Sequence, residues 1–212
     1  MLLYRFGLYE FYEGAYIIVH AHCVEALVTF EALKRHEDEE SLNVLDLLGT
    51  LFVVMRRFAE AKDAMTRVLR QRESIFGADY PRILSTIQSL ASLCNDQGRL
   101  DEATVLFEKA LRISRTSFGP THYKVSLSRL NLARVLDQQG RREEASHMLS
   151  IAQDDIQMIA ASDDLNGLAL QRQLGRIWNE QGRLEEAEHW IRDCIETIRG
   201  TWPRTSRNLF SP

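Results

Sequence analysis

The residues best suited to hold a ligand stand in three columns whose members are 42 positions apart. Ser89, Asn131 and Gln173 form one column, Ser92, Arg134 and Arg176 the next, and Asn95, Asp137 and Asn179 the third. Amides and hydroxyls of this kind both donate and accept hydrogen bonds. A guanidinium receives a carboxylate through two parallel hydrogen bonds. Arg134 and Arg176, equivalent positions one period apart, therefore suit an acidic segment of a protein partner.

Other chemistry is poorly served. His20-Ala21-His22-Cys23 offers metal-ligating types, but side chains at i and i+2 on a helix point apart. In the 42-residue register His22 and Cys23 also align with core positions. Glu143-Glu144-Ala145-Ser146-His147 lacks the His-Glu-x-x-His order of a zinc protease. No phosphate loop, dinucleotide glycine set or nucleophile elbow is present. The expectation is a non-enzymatic protein with no catalytic, cofactor-binding or metal-ligating residues. Cys23, Cys94 and Cys194 fall in apolar columns and read as small buried hydrophobes. An odd number of cysteines without paired spacing fits a reducing, cytoplasmic setting.

The elements that would position the polar columns follow from the same period. Gly98, Gly140 and Gly182 recur every 42 residues, each followed by Arg and, five residues on, by Ala103, Ala145 or Ala187. Ala61 extends that column backwards. Leu48, Leu90, Leu132 and Leu174 share another column beside Gly49, Ala91, Ala133 and Gly175, and Leu51, Leu93, Val135 and Ile177 share a third. A fixed period without insertions marks a stacked-repeat architecture. Each repeat is expected to hold two helices, about Ile83–Asp96 and Asp101–Ser117 in the clearest case, with apolar residues on one face. Gly98 ends the first, where a left-handed residue is needed. Asp101 and Glu102 complement the positive end of the second. The small Ala103 lets the two helices approach. The i, i+3, i+6 steps place the three polar columns along one face of the first helices, opposite the leucines.

Between repeats, Phe76-Gly77-Ala78-Asp79-Tyr80-Pro81 recurs as Phe118-Gly119-Pro120-Thr121-His122-Tyr123, with Asp79 or Thr121 expected to cap the next helix. Ala160-Ala161-Ser162-Asp163-Asp164 lacks both Gly and Pro, so a turn of different shape is expected there. Trp178, Trp190 and Trp202 read as core of the last hairpin, and Glu37-Asp38-Glu39-Glu40 as a solvated loop.

Composition agrees. Of the 212 residues, 45% are hydrophobic and 26% charged, enough to build a core, and the formal net charge of −4 argues against nucleic acid as a partner. No run of 18 uninterrupted apolar residues occurs, so no membrane span is expected. Arg5, Glu10 and Glu13 interrupt the apolar N-terminus, which reads as folded helix rather than a leader.

The motifs Leu130-Asn131-Leu132-Ala133, Gln97-Gly98-Arg99-Leu100-Asp101-Glu102-Ala103, Phe107-Glu108-Lys109-Ala110-Leu111 and Phe118-Gly119-Pro120-Thr121-His122 resemble 42-residue tetratricopeptide repeats of the kinesin-light-chain type. The resemblance is close over 42–203 and weak over 5–41. It implies an all-α solenoid, a right-handed superhelix of helix-turn-helix repeats with a peptide-binding concave groove. Asn131 stands where such repeats carry a groove asparagine, whereas Ser89 and Gln173 depart from it. The expected organisation is one array over 1–203: a degenerate partial repeat at 1–41, then repeats at about 42–83, 84–125, 126–167 and 168–203. A disordered tail is expected at 204–212. The array ends abruptly, which predicts either missing flanking repeats or end-to-end dimerisation. In role it is a protein-binding scaffold like a motor adaptor, or alternatively the sensing array of a signalling ATPase whose NTPase domain lies elsewhere.

Overall fold

The computed structural model describes residues 2–33, 35, 38–160 and 165–201, and every regular element among them is an α-helix. In chain order these are α1 (Leu2–Ala32), α2 (Glu39–Val54), α3 (Phe58–Phe76), α4 (Ile83–Asp96), α5 (Leu100–Phe118), α6 (Tyr123–Gln138), α7 (Arg142–Ala160), α8 (Leu165–Glu180) and α9 (Leu184–Thr201). The fold is an all-α solenoid of helix-turn-helix units. The chain divides into two compact units, Met1–Ile113 and Ser114–Pro212. Residues 161–164, Trp202 and the 204–212 tail lie outside the described residues.

The turn inside each hairpin is one motif repeated four times. Past the end of α4, the Gly98 amide donates to the Asn95 carbonyl at 2.9 Å and the Arg99 amide to the Cys94 carbonyl at 2.9 Å. That bond pair is a Schellman closure, which satisfies the last carbonyls of a helix and requires a left-handed residue. Gly98, Gly140 and Gly182 supply it with φ of 73°, 77° and 75°. After α2 the left-handed residue is Arg56, at φ 57°, with the same two bonds, Arg56 to Val53 and Arg57 to Phe52.

The arginine after the left-handed residue locks the entry of the next helix. Arg99 Nε donates to Glu102 at 2.6 Å, Arg141 Nε to Glu144 at 2.7 Å, and Arg183 Nε to Glu186 at 3.0 Å; Arg57 and Glu60 pair likewise. Arg57 also stacks over Phe52, 4.6 Å from the ring centre, and Arg183 over Trp178 at 5.2 Å. Hydrogen bonds from the arginines hold the Glu60, Glu102 and Glu144 carboxyls below their ordinary range.

This motif explains why α1 is not a hairpin. Gly14 stands two periods before Gly98, but α1 runs straight through it. The arginine position is Ala15 and the glutamate position is Ile18, so neither half of the clasp exists. The partial repeat expected in the first 41 residues is therefore one 31-residue helix. From Ala15 to Ala32 it is also long and apolar enough, by length and composition, to cross a membrane, with mean hydropathy 1.2. Counting uninterrupted apolar runs misses it because His20, His22, Glu25 and Glu31 break the run.

Within unit 1, α2 packs on α1, α3 and α4. Leu48, Leu51, Phe52, Ala61, Leu93 and Cys23 form one buried cluster, with Tyr16 and Leu27 against it. Ala61 and Ala103 are wholly buried. Gly49 replaces alanine in its column for a packing reason: a Cβ there would sit 2.9 Å from Met65 Cγ. Within unit 2, Leu130, Ala133, Leu149, Ala152, Ile156, Leu174 and Ala187 share a core with Trp178 and Trp190. The two indoles meet edge to face, centres 5.4 Å apart. Trp190 donates to the Gln171 carbonyl at 3.1 Å.

Several expectations change. His22, aligned with core residues, is exposed, because no first helix folds back onto α1. Glu39 and Glu40 form the first turn of α2 rather than a loop. His122, not Thr121, caps α6, its Nδ1 accepting from the Lys124 amide at 3.2 Å. Asp79 does not cap α4, whose N-cap is Arg82, but pairs with Arg112 at 2.5 Å. Cys23 and Cys94 are buried, which pushes both thiols up from their ordinary values. The side chain of Cys194 lies outside the described ones.

Candidate functional site

The polar columns sit on the first helices of the hairpins, and each unit holds its own set. In unit 1, α4 carries Ser89 and Ser92, both half-buried, and Asn95, which is buried. The Asn95 Oδ1 has no hydrogen-bond partner. The same columns on α2 are Leu47, Thr50 and Val53; Leu47 is 52% exposed, and Thr50 spends its hydroxyl on the Asp46 carbonyl at 3.1 Å. Unit 1 therefore offers polar groups from α4 and an apolar shelf from α2.

In unit 2, α6 carries Asn131, Arg134 and Asp137, and α8 carries Gln173, Arg176 and Asn179. Gln173 Nε2 donates to Asn131 Oδ1 at 2.7 Å, so side chains 42 residues apart in sequence are neighbours on adjacent first helices. That contact is the register that equal spacing demands. Asn131 is buried, while Arg134 and Asp137 are half-buried. Arg134 Nε is enclosed without a partner. Arg176 is 69% exposed and paired with Glu180 of its own helix at 3.7 Å. Asn179 is exposed. Asn131 and Gln173 are thus joined by a direct bond, and the two arginines occupy different surroundings, one half-buried with an enclosed Nε and one solvated.

Two charged clusters went unread in the sequence. In unit 1, Arg72 is 2% exposed. It donates to Asp46 at 3.0 Å, Thr86 at 3.0 Å and Asn43 at 2.6 Å, with Glu39 at 3.6 Å. Thr86 in turn donates to Asp46 at 2.9 Å. One guanidinium thereby ties α2, α3 and α4 together. In unit 2, Arg129 pairs with Asp155, which also accepts from Ser126 at 3.3 Å. Burial pushes the Asp155 carboxyl up, while Arg129 and Ser126 pull it the other way. The only sequence signal was a break in period: Arg72 occupies the column of Ser114 and Ile156.

No three His, Cys, Asp or Glu side chains converge among the described residues. An open depression between α2 and α3, lined by Leu45, Phe52, Glu60, Asp63 and Arg67, includes none of the column residues.

Family models of the tetratricopeptide repeat match residues 83–150 and 168–200. The chain carries tetratricopeptide repeats. Solved structures show the same fold. A kinesin light chain-like protein of Podosopora anserina with nearly identical TPR-like repeats is 19% identical, with TM-score 0.68, covering 90% of this chain and 91% of that one. BtubC (BKLC) from P. vanneervenii is 18% identical, with TM-score 0.68, covering 90% and 76%. The apo form of RapI is 16% identical, with TM-score 0.67, covering 93% of this chain and 53% of that one. At these identities the likeness is one of fold. No curated protein matches the sequence. In fold this tetratricopeptide-repeat chain resembles the kinesin light chain-like arrays, and such repeats are protein-interaction scaffolds.

Proposed function

We propose that this repeat scaffold is non-enzymatic and holds a peptide or partner segment along the polar columns of its first helices. The observation that carries the reading is unspent hydrogen-bonding capacity. Asn95 Oδ1 and Arg134 Nε are enclosed without partners, and such groups cost about 1–3 kcal/mol each when left unmade. Each unit by itself offers one such group to a bound main chain, Asn95 in unit 1 accepting from an N–H and Arg134 in unit 2 donating to a carbonyl or carboxylate. Arg176 adds a positive charge that a partner carboxylate can take from Glu180, which favours an acidic segment. Cytoplasmic placement accompanies this reading, since Cys23 and Cys94 are free thiols. A sensing array of a signalling ATPase would bind through the same columns; an encoded NTPase domain alongside would select that role.

The test is a display library of acidic and neutral peptides, read by fluorescence anisotropy on the wild type and on Arg134→Glu/Arg176→Glu. Acidic peptides bind the wild type, and the charge reversal weakens them by roughly a hundredfold or more. Affinities left unchanged by the double variant would refute the assignment.

A further inference from the structure

α1 carries branched aliphatic side chains where the other second helices carry polar residues or alanine. In register with α3, α5, α7 and α9, Ile17 replaces Ala59, Asp101, Glu143 and Glu185, and Ile18 replaces Glu60, Glu102, Glu144 and Glu186. Val24 replaces Thr66, Glu108, Ser150 and Arg192, and Val28 replaces Arg70, Arg112, Asp154 and Glu196. Ile17, Ile18 and Val28 are 60%, 60% and 61% exposed, and Val24 40%. An adjacent face of α1 is already engaged, about a quarter-turn round the helix: Tyr16, Cys23 and Leu27 pack within the α2 cluster. The exposed residues are therefore not a stray core but a second apolar face, at positions that α5 and α7 turn to water.

Ile17, Ala21, Val24 and Val28 step by four, three and four. That is the seam of two helices packed at period 3.5. The order is also symmetric about the point between His22 and Cys23, so it is self-complementary in an antiparallel pair. We propose that α1 joins two copies of this chain about a two-fold axis, laying Ile17 on the partner's Val28 and Ala21 on the partner's Val24.

Area and charge both select a second copy. Ile17, Ala21, Val24 and Val28, with Ile18 flanking, present on the order of 400 Å2 per copy, so a symmetric pair covers about 800 Å2, the scale of a weak, reversible association. A spanning helix would present its whole circumference to lipid, whereas α1 is held along one side by α2, which carries Glu39, Glu40 and Asp46. A helix lying on an anionic bilayer carries Lys and Arg; α1 has none between Phe6 and Leu33 and bears Glu25 and Glu31. Pairing through α1 is independent of the polar columns, so the two readings stand or fall separately.

Sedimentation of the full chain at tens of micromolar tests it, with Ile17→Asp, Val28→Arg and their combination. The substituted types are those that α5 carries at the same register, so the inner face and helix are undisturbed, which circular dichroism checks. The wild type sediments at twice the chain mass of 24.4 kDa. Each single change raises the dissociation constant roughly a hundredfold, and the combination, which sets carboxylate against guanidinium across the axis, recovers about tenfold. A wild-type monomer, whether or not it pellets with neutral or anionic vesicles, would overturn the proposal. So would a dimer indifferent to the single changes, or a combination no better than either.

Discussion

Arg56→Gly is expected to stabilise the protein, although it removes a side chain and adds backbone freedom. Arg56 holds the one left-handed φ outside glycine among the described residues, 57°, at the column filled by Gly98, Gly140 and Gly182. An L-residue in that conformation costs about 1–2 kcal/mol. Glycine removes that cost but loses roughly 0.5–1 kcal/mol more to chain entropy on folding. The Arg56 side chain is exposed, so little packing is forfeited. The balance is a gain of about 0.5–1 kcal/mol. In a chain of this length that is about 1–4 °C in melting temperature. Locally, the Arg57 amide, bonded to the Phe52 carbonyl at 2.8 Å, should exchange with solvent about two- to fivefold more slowly. Gly98→Ala is the mirror experiment. A Cβ at Gly98 meets nothing within 4 Å, so its cost is purely conformational, about 1 kcal/mol. Thermal melts and native-state hydrogen exchange on both variants give the answer. If Arg56→Gly destabilises, or Gly98→Ala is neutral, the left-handed closure is not what sets this column.

Arg72→Met keeps the aliphatic stem but strips Asp46, Asn43 and Thr86 of their shared donor; it should cost about 3–5 kcal/mol, read as a lower urea midpoint. Glu102 titrates below its ordinary 4.5 because Arg99 hydrogen-bonds the ionised form. Its contribution to stability is therefore complete above the ordinary carboxylate value and fades as pH falls through the depressed one. A carboxyl-carbon NMR titration should place Glu102 lower in the wild type than in Arg99→Gln; equal midpoints would refute the pairing.

Legibility in the sequence followed the period. The helix boundaries at Ile83–Asp96, the glycine turns, and the alanine and leucine columns were all readable, because each depends on a local rule repeated in identical context. The column Asn131–Gln173 was readable for the same reason, since equal spacing on stacked helices implies contact. His22 was not: its column said core, but burial there depends on a first helix that α1 does not fold back to provide. The helical course through Gly14 was missed because glycine permits a left-handed turn without compelling one. The clasp that compels it needs Arg and Glu three residues apart, and Ala15 and Ile18 supply neither.

Sequence by itself determined the repeat length, the helical class and the identity of the polar columns. It could do so because all three are encoded by residues close enough in the chain to act through backbone geometry and helical periodicity. Tertiary structure alone decided which polar atoms remain unspent. Arg134 and Arg176 share a column, yet one is half-buried with an enclosed, idle Nε and the other is solvated against Glu180. It also decided that Arg72 is spent, on groups drawn from α2 and α4. Partnership of a side chain is set by what the fold brings within about 3 Å, and that depends on residues tens of positions away.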